Sequence, residues 1–477
     1  MTGLLSHLVC AGCGVEPPPS TPYPFRCPNA GRGDDVDHVL RRELDLWSLE
    51  FPANDEPSPF VRYRTLLHAY HVARAGGLSD DDVVALVRAL DEKVAAVDGR
   101  GFTVTPFARS DELSEALGLT RAGGVWVKDE TGNVAGSHKA RHLFGVLVYL
   151  EVAERLGLVH ERADLAIASC GNAALAAAVI AAAGARTLRV FVPTNADPVV
   201  LARLEELGAR ITTCPRDGRP GDPAYRRLLE ALEEGALPFT CQGNLNGLAI
   251  EAGETLGWEL VSSGEVIDRI VVQVGGGALA SACGHAFREA SVLGALARQP
   301  RLDTVQTAGA WPLKRAFDAL GSGLPRSAGA EGEERGRPDP WEEALRFAAH
   351  HRSAFMWPWE TEPRSVAHGI LDDETYDWLA VAEGMLATGG RPLVVDEETL
   401  VEANALARES TGIAVDHTGS AGLAGLLALR AAGELASDER VAVLFTGAVR
   451  AAPDERRDRD EKLPRARHPV AQGLRAR

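Results

Sequence analysis

The sequence lacks an excess of basic residues, and this argues against a nucleic-acid binder. Its 477 residues include 50 Lys and Arg against 67 Asp and Glu, a formal net charge of -17. Phosphate contacts would begin against long-range repulsion at that charge. A small anionic ligand stays compatible with it, because local amide dipoles can outweigh a distant net charge. We therefore expect a small-molecule partner and no nucleic acid.

Long apolar runs and a regular cysteine framework are also missing. No stretch approaches the roughly 20 apolar residues that a membrane helix needs, and the longest run, residues 173–185, is Ala-rich and predicts a buried helix. The start, MTGLLSHLVCAGCG, has neither a basic segment nor a long apolar core, so no signal peptide is predicted. Seven scattered cysteines suit a reducing compartment better than a disulfide framework. We expect a cytoplasmic protein with no membrane partner.

Aromatic residues are scarce at 6%, but 45% apolar and 25% charged residues make an ordinary globular composition. The length allows two or three domains. Short β-branched runs alternate with Ala- and Leu-rich segments at helical spacing, which predicts parallel α/β sheets covered by helices on both faces. The predicted strands are residues 125–128, 165–169, 188–192, 210–213, 238–241, 269–274, 304–307 and 440–445, and the clearest helices are residues 139–156, 173–183, 198–207, 247–261 and 419–432.

The N-terminal cysteines resemble the first half of a zinc ribbon. Cys10 and Cys13 form a Cys-x-x-Cys pair and Cys27 follows, but Ala30 stands where a fourth cysteine is expected. His7 or His38 could complete the set. The interpretation favoured by the sequence is a degenerate element without a metal, with Cys10, Cys13 and Cys27 as the candidate ligands should one bind.

A lysine opens the first long helix. Lys139 lies in the segment GSHKAR, after the strand VWVKDE and the turn TGNVAG. The positive end of a helix disfavours an ammonium ion, so an amine there can react as a nucleophile with a carbonyl cofactor. An isolated lysine would more often be a solvated surface residue.

A second strand-to-helix turn, SCGNAA, contains Asn172. Small residues let a ligand approach the backbone, whose free amides can hold a carboxylate, and Asn172 can donate to a hydroxyl or oxyanion. A simple turn capped by asparagine is an equally good explanation. Cys170 has no evident base beside it and is interpreted as a small wall residue.

Three consecutive glycines follow another strand, in VGGGAL from Val274 to Leu279. Their bare amides, with the dipole of the next helix, suit a phosphate. The letters GGGALA also satisfy the G-x-G-x-x-A pattern of a dinucleotide site. That alternative needs an acidic residue about 20 positions later, and residues 293–299 contain none.

Thr446 and Gly447 end the last predicted strand. Ligands collect at the carboxyl ends of parallel strands, and a neutral hydroxyl there can meet a heterocyclic nitrogen without protonating it. A plain strand-terminating turn explains the same residues when they are taken alone.

Together these motifs make residues 103–447 resemble the fold type II pyridoxal-phosphate enzymes, which include threonine synthase, serine/threonine dehydratases and cysteine synthase. The segments FVPTNADPVVLARLEELGARI, GNLNGLAIEAGETLGWEL and DHTGSAGLAGLL are also similar, and the degenerate N-terminal element is typical of threonine synthase-like members of this tryptophan synthase β superfamily. The resemblance implies two doubly wound α/β sheet domains with a small zinc-ribbon-like appendage.

The resemblance also implies the domain boundaries and a homodimer. Residues 1–32 would be the appendage, 33–135 an extension and part of the large domain, 136–240 a smaller mobile domain with the lysine and the asparagine turn, 241–450 the large cofactor-binding domain, and 451–477 a charged flexible tail. Residues 321–340, rich in Gly, Pro and charge, predict a flexible insertion.

By the same resemblance, pyridoxal 5'-phosphate would join Lys139 as an aldimine, and the lysine would then move protons on the substrate. Asn172 would bind the ring oxygen and Thr446 would face the ring nitrogen. The phosphate would bind to Gly275, Gly276, Gly277, Ala278 and Leu279, and the substrate carboxylate to Ser137, Ser169, Cys170, Gly171 and Ala173.

The implied function is a lyase or synthase that eliminates or replaces a group at the β or γ carbon of an amino acid, as a carbon–oxygen lyase. A dehydratase or a cysteine synthase-like enzyme is the nearest alternative; a non-catalytic cofactor-binding protein and an NAD-dependent dehydrogenase are more remote. The chain departs from threonine synthases at His138 and Ala140, where Phe and Asp are usual, and at Cys170, where Ser or Thr is usual. These changes weaken the case for O-phosphohomoserine as the substrate, and Arg141, His138 and Lys128 are the residues that could have bound its phosphate.

Overall fold

The structure, a computed structural model, describes residues 4–18, 20–31, 33–219, 221–323 and 339–450. The predicted tail, residues 451–477, lies outside the described residues, as does most of the predicted insertion at 321–340. The strands are β1 Ser6–Cys10, β2 Leu40–Leu44, β3 Phe107–Ser110, β4 Gly124–Asp129, β5 Leu165–Ala168, β6 Leu188–Pro193, β7 Arg210–Cys214, β8 Leu237–Pro238, β9 Arg269–Gln273, β10 Arg301–Thr307, β11 Pro392–Val395 and β12 Arg440–Phe445.

Helices connect most of these strands. They are α1 Pro59–Arg62, α2 His68–Ala75, α3 Asp80–Asp98, α4 Asp111–Ala116, α5 Lys139–Arg155, α6 Asn172–Ala183, α7 Pro198–Glu206, α8 Pro223–Glu233, α9 Leu248–Ser262, α10 Ala278–Val292, α11 Pro312–Gly323, α12 Pro340–Ala349, α13 Trp378–Thr388, α14 Glu397–Thr411 and α15 His417–Ala431. Within the described ranges, no helix is long and apolar enough to cross a membrane.

The larger sheet has six strands in the order β11-β10-β9-β12-β4-β3. All neighbours are parallel except β3, which pairs antiparallel with β4 at one edge. Because β9, β12 and β4 lie side by side, the loops that follow them leave the sheet at one edge. This order places three of the predicted site segments next to one another.

Both faces of this sheet are buried, which explains its near-continuous apolar strands. Ile270 and Val272 of β9 pack in the same apolar cluster as α10, α11 and α13, whereas Val271 packs on the other face with α14 and α15. In β12, Ala442 packs on the face covered by α10, α11 and α13, and Val443 packs on the face covered by α14 and α15. Alternate residues of a strand point to opposite faces, so helices on both sides require apolar residues at every position.

The smaller sheet has four parallel strands in the order β7-β6-β5-β8. Leu165 and Ile167 of β5 pack on the side of α5 and α6, while Ala166 packs on the side of α8. All four strands lie between residues 165 and 238, so Asn172 leaves a different sheet from Lys139. The predicted class, α/β with parallel sheets, is confirmed.

An antiparallel pair of short strands, β1 and β2, lies outside both large sheets. Neither strand was predicted, because SHLVC and LRREL are short and lack clear alternation of apolar residues. The strands β3 and β11 and the helices between residues 59 and 98 were also not predicted individually. Residues 238–241 were predicted as a strand of four, but only Leu237 and Pro238 pair with β5, and the chain then turns toward α9.

Candidate active site

The four segments singled out in the sequence line a single cavity of about 280 Å³. It lies where the chain leaves β4, β5, β9 and β12, at the carboxyl ends of these parallel strands, where ligands of α/β proteins usually bind. The sequence-predicted residues that line it are Lys139, Ser169, Cys170, Gly171, Asn172, Ala173, Gly275, Gly276, Gly277, Ala278, Leu279 and Thr446.

Lys139 is the first residue of α5 and is held at the end of β12 by its neighbours. The backbone amide of His138 donates to the Thr446 carbonyl oxygen at 3.3 Å, and Ser137 forms an antiparallel bridge with Gly447. The thiol of Cys241 lies 3.9 Å from the Lys139 carbonyl oxygen. These contacts fix the backbone of Lys139 close to the predicted partner of the ring nitrogen.

The glycine loop presents amides to the cavity, because a neighbouring segment occupies its carbonyls. The Thr375 hydroxyl donates to the Gly275 carbonyl at 2.9 Å, and the Asp377 amide donates to the Gly276 carbonyl at 2.9 Å. Gly277 caps α10 with φ of 98°, in the left-handed region that favours glycine. At Gly275 an added Cβ would collide with the Asp372 carboxylate and with the backbone of Ile370. The loop therefore needs glycine at 275 because the neighbouring chain packs closely on it, and at 277 because of the backbone conformation.

An anionic group already lies against this loop. The Asp372 carboxylate packs so closely on Gly275 that a Cβ added there would collide with it. Burial raises the pKa of Asp372 to about 6, and the charge of Lys139 and the Gly276 backbone oppose that rise. A carboxylate therefore lies against the loop, where the free amides and the start of a helix suit an anion such as a phosphate.

The hydroxyl of Thr446 is oriented by Gln273, the last residue of β9. The Gln273 side-chain amide donates to Thr446 Oγ1 at 2.7 Å and to the carbonyl oxygens of Gly419 and Leu444 at 2.8 Å and 3.1 Å. Carbonyl oxygens only accept, so the amide nitrogen must face all three atoms. Thr446 consequently accepts from Gln273 and has its own proton to donate to another acceptor.

Asn172 begins α6, and its side chain is positioned by Arg450. The Arg450 guanidinium donates to Asn172 Oδ1, which leaves the amide hydrogens of Asn172 as the donors for a ligand. The preceding residue, Gly171, is the N-cap of the helix, and no side chain in the described ranges caps it. Exposed amides at such an end can bind a carboxylate.

The remaining charges around the cavity are mostly acidic. Asp222, Asp372 and Asp416 line it together with Lys139 and Arg450. Burial, followed by the charge of Lys139, holds the pKa of His138 well below its usual value, so its imidazole is neutral. The Nδ1 of His138 lies 3.3 Å from the Thr446 carbonyl oxygen and donates to it as a neutral ring.

Three residues that the sequence placed near the ligand lie elsewhere. Ser137 does not line the cavity, and its buried hydroxyl has no hydrogen-bond partner among the described residues. Arg141 and Lys128 are buried in an ion network with Glu130 and Glu259. These two cations are structural, and they are not available to bind a phosphorylated substrate.

Sequence reasoning missed Gln273, Asp372 and Arg450. Gln273 had a usable signal, because it is a polar residue that ends the buried apolar run IVV two positions before the glycines. Asp372 and Arg450 follow turns without periodicity, so their approach to the cavity depends on tertiary packing and had no local signal.

The model of the family described as "Pyridoxal-phosphate dependent enzyme" matches residues 100–447. The chain belongs to this family. Its cofactor is pyridoxal 5'-phosphate, and the dinucleotide alternative for the glycine loop is not supported.

Among curated relatives of this pyridoxal-phosphate enzyme, the threonine synthase of Methanocaldococcus jannaschii is 24% identical over 357 residues, covering 73% of this chain and 75% of the relative. The L-threonine ammonia-lyase of Thermotoga maritima is 28% identical over 185 residues, 39% of this chain and 42% of the relative. Maize serine racemase superposes with a TM-score of 0.55 at 18% identity, covering 79% of this chain and 97% of the racemase. That likeness confirms the fold.

The residues around the cavity fit the cofactor of this family. The lysine suits the cofactor's aldehyde, and the amides of the glycine loop suit its phosphate. The Asn172 amide suits the ring oxygen, and the Thr446 hydroxyl suits the ring nitrogen. Each of them comes from a different loop, and the loops meet at the cavity.

Proposed function

We propose that this chain is a pyridoxal-phosphate-dependent lyase or synthase that eliminates or replaces a group at the β or γ carbon of an amino acid. The observation that carries the proposal is the convergence of Lys139, Asn172, the glycine loop and Thr446 on one cavity. Lys139 would hold the cofactor covalently and would then remove or return a proton at the substrate Cα. Bound pyridoxal phosphate supplies the electron sink that makes this proton removable.

The proposed roles of the other residues follow from their hydrogen-bonding capacity. Gly275, Gly276, Gly277, Ala278 and Leu279 would hold the phosphate through backbone amides and the α10 dipole. Asn172, positioned by Arg450, would donate to the ring oxygen. The substrate carboxylate would bind at the start of α6, where Ser169, Cys170, Gly171 and Ala173 line the cavity.

Thr446 supports elimination or replacement over reactions that need a protonated ring. Its hydroxyl accepts from Gln273 and can only donate toward the ring nitrogen, which leaves that nitrogen without a full positive charge. A ring held in this way withdraws less charge from the substrate, which suits the loss of a β or γ substituent.

The acidic lining favours the dehydratase alternative over phosphohomoserine as substrate. Asp222, Asp372 and Asp416 face the cavity, and two cations that could have countered a second phosphate, Arg141 and Lys128, are bound in an internal network. A doubly charged leaving group would be repelled by these carboxylates. Serine and threonine carry neutral hydroxyl groups and avoid that repulsion.

The cofactor assignment is tested by absorbance spectra of the purified protein and of Lys139→Ala. We expect wild type to absorb in the visible range and to retain the cofactor irreversibly after borohydride reduction, because reduction fixes a lysine-bound carbonyl compound. Lys139→Ala should lose this fixation, whereas Lys93→Ala, a change at an exposed lysine of α3, should keep it. A colourless wild type that binds added NAD would overturn the proposal.

The reaction is tested by a substrate screen on the loaded enzyme. Serine, threonine, O-acylated serines and phosphohomoserine are compared by spectral shift and by oxo-acid release. We expect oxo-acid from serine or threonine and little response to phosphohomoserine. A stoichiometric phosphate release from phosphohomoserine alone would establish the threonine synthase reaction instead, and inertness toward all of them would favour a non-catalytic cofactor-binding protein.

A further inference from the structure

Three cysteines and one histidine converge in the N-terminal part of the chain. The sulfurs of Cys10, Cys13 and Cys27 and a ring nitrogen of His38 all lie within 4.8 Å of one another. The Cys13 and Cys27 sulfurs are 3.6 Å apart, and the Cys10 sulfur is 3.5 Å from His38 Nδ1. A tetrahedral zinc with Zn–S of about 2.3 Å and Zn–N of about 2.0 Å places its donor atoms roughly 3.5–3.8 Å apart. We propose that these four residues bind one structural Zn²⁺.

The backbone around the cysteines is arranged to support thiolates. The backbone amide of Cys13 donates to the Cys10 sulfur at 3.4 Å, and the backbone amide of Asn29 donates to the Cys27 sulfur at 3.4 Å. The side-chain amide of Asn29 donates to the Cys13 sulfur at 3.5 Å. Each sulfur therefore has an N–H donor directed at it. Donors of this kind stabilise the deprotonated form that binds a metal.

His38 takes the place of the cysteine that the sequence lacks. The expectation of a metal-free element depended on Ala30, which stands in the fourth position of the ribbon pattern. In the structure His38 reaches the cysteines from just before β2, and its other ring nitrogen, Nε2, lies 3.0 Å from Asp34 Oδ1. A carboxylate on the far nitrogen fixes the ring and its tautomer, as it does for histidines that bind zinc.

His7, the other histidine considered from the sequence, is not part of the group. Its ring pairs with Glu16 at 3.8 Å and its side chain is half exposed. This histidine is therefore a matched control for His38.

Four protein ligands leave no coordination position for a substrate, so the site is structural. Cys10 ends β1 and His38 precedes β2, so the metal would cross-link the two strands of the small sheet and the loop that carries Cys27. Asp37, next to His38, binds Arg352 at 3.1 Å. Zinc binding would thereby also stabilise the contact of this element with the rest of the chain.

The test is elemental analysis of full-length protein purified under reducing conditions, before and after incubation with zinc and removal of the excess. We expect one zinc per chain in wild type and in His7→Ala, and loss of it in His38→Ala and Cys27→Ser. His38→Cys should restore it, because a fourth thiolate is also a zinc ligand. Substitution by Co²⁺ should give the visible absorption of tetrahedral thiolate coordination in cofactor-free protein.

Chelation provides an independent measurement on the wild-type protein, with His38→Ala as its control. We expect a strong chelator to lower the Tm of wild type and to leave that of His38→Ala unchanged. A wild type that holds no zinc after reconstitution would overturn the proposal, as would a His38→Ala variant with the wild-type zinc content. A disulfide between Cys13 and Cys27 that persists in native protein purified under reducing conditions would overturn it as well.

Discussion

The carboxylate of Asp372 lies against Gly275, in the loop that we propose for the cofactor phosphate. The two anions would lie next to one another, and burial raises the pKa of Asp372 to about 6, so this group is charged at pH 8. We expect Asp372→Asn to bind pyridoxal phosphate more tightly at pH 8, by roughly tenfold or about 1.4 kcal/mol, since the variant removes a negative charge beside the phosphate. Titration of cofactor-free protein by fluorescence measures this change.

Asp373→Asn, at the adjacent carboxylate, is the control for that titration, because the glycine loop is not its partner in the described contacts. A weaker affinity in Asp372→Asn would mean that Asp372 orders the loop for the cofactor and does not compete with it.

The proposed hydrogen bond from the Thr446 hydroxyl to the ring nitrogen can be tested by substitution. We expect Thr446→Val to lower kcat about tenfold, the effect of losing one hydrogen bond of about 1–1.5 kcal/mol, and Thr446→Ser to stay near wild type. A shifted visible absorbance in Thr446→Val alone would report the changed environment of the ring nitrogen. Equal kcat and spectra in both variants would show that Thr446 does not meet the ring.

At the scale of single residues, the sequence predicted the position of those side chains that lie close to a strand end or a turn. Asn172, the three glycines and Thr446 lie within four residues of a strand end, and Lys139 follows a strand and a turn. All four segments line the cavity. Ser137 is two residues from Lys139, yet it is turned away into the protein. The bridge between Ser137 and Gly447 decides this, and a pairing across 310 positions leaves no local pattern.

At the scale of elements, the strands of the two parallel sheets were predictable because both of their faces are buried. The run RVAVLF became β12 with the predicted bounds, and β9 ends one residue before its predicted end. The edge strand β3 has the sequence FARS and few buried residues, so no hydrophobic pattern marked it. The start of α5 at Lys139 was also predicted, because the apolar residues adopt helical spacing after the turn TGNVAG.

The helices α5 and α9 are joined to β4 by a buried ion network. Arg141 of α5 donates to Glu130 Oε2 at 2.8 Å and to Glu259 of α9 at 2.5 Å, and Lys128 of β4 also contacts Glu259 at 2.5 Å. We expect Arg141→Met to reduce the free energy of unfolding by about 3–5 kcal/mol, because two carboxylates lose their main partner inside the protein. Denaturant unfolding followed by far-ultraviolet circular dichroism measures it.

Two further variants show whether the stability contributed by Arg141 depends on its hydrogen-bond geometry or on its charge alone. Arg141→Lys keeps the charge but loses the paired hydrogen bonds, so its stability should fall between wild type and Arg141→Met. Arg364→Ala removes an exposed ion pair with Glu362, and its effect should stay below about 1 kcal/mol. If Arg141→Met lowers the free energy of unfolding as little as Arg364→Ala does, Glu130 and Glu259 are protonated in the folded protein.

At the scale of the whole molecule, a buried arginine of the N-terminal sheet contacts two of the large helices. Arg42 of β2 is buried and contacts Glu251, Glu254 and Glu289 of α9 and α10. This cluster had no local signal, because Arg42 lies more than 200 positions before the three glutamates. One guanidinium faces three carboxylates, and burial raises the pKa of Glu251 to about 8 and those of Glu254 and Glu289 to about 7.

This cluster should make the stability of the protein fall as the pH rises from about 5 to about 8. The folded state holds protons on these carboxyls above the ordinary glutamate pKa of about 4.3, where the unfolded chain has already lost them, so unfolding becomes easier with each proton released. We expect Glu289→Gln to reduce that loss of stability by about 1–3 kcal/mol across this range. Glu43→Gln, at an exposed residue of β2 paired with Arg41, should leave the slope unchanged. Urea unfolding at several pH values measures both variants, and equal slopes for wild type and Glu289→Gln would show that the carboxylates are already charged and compensated within the fold.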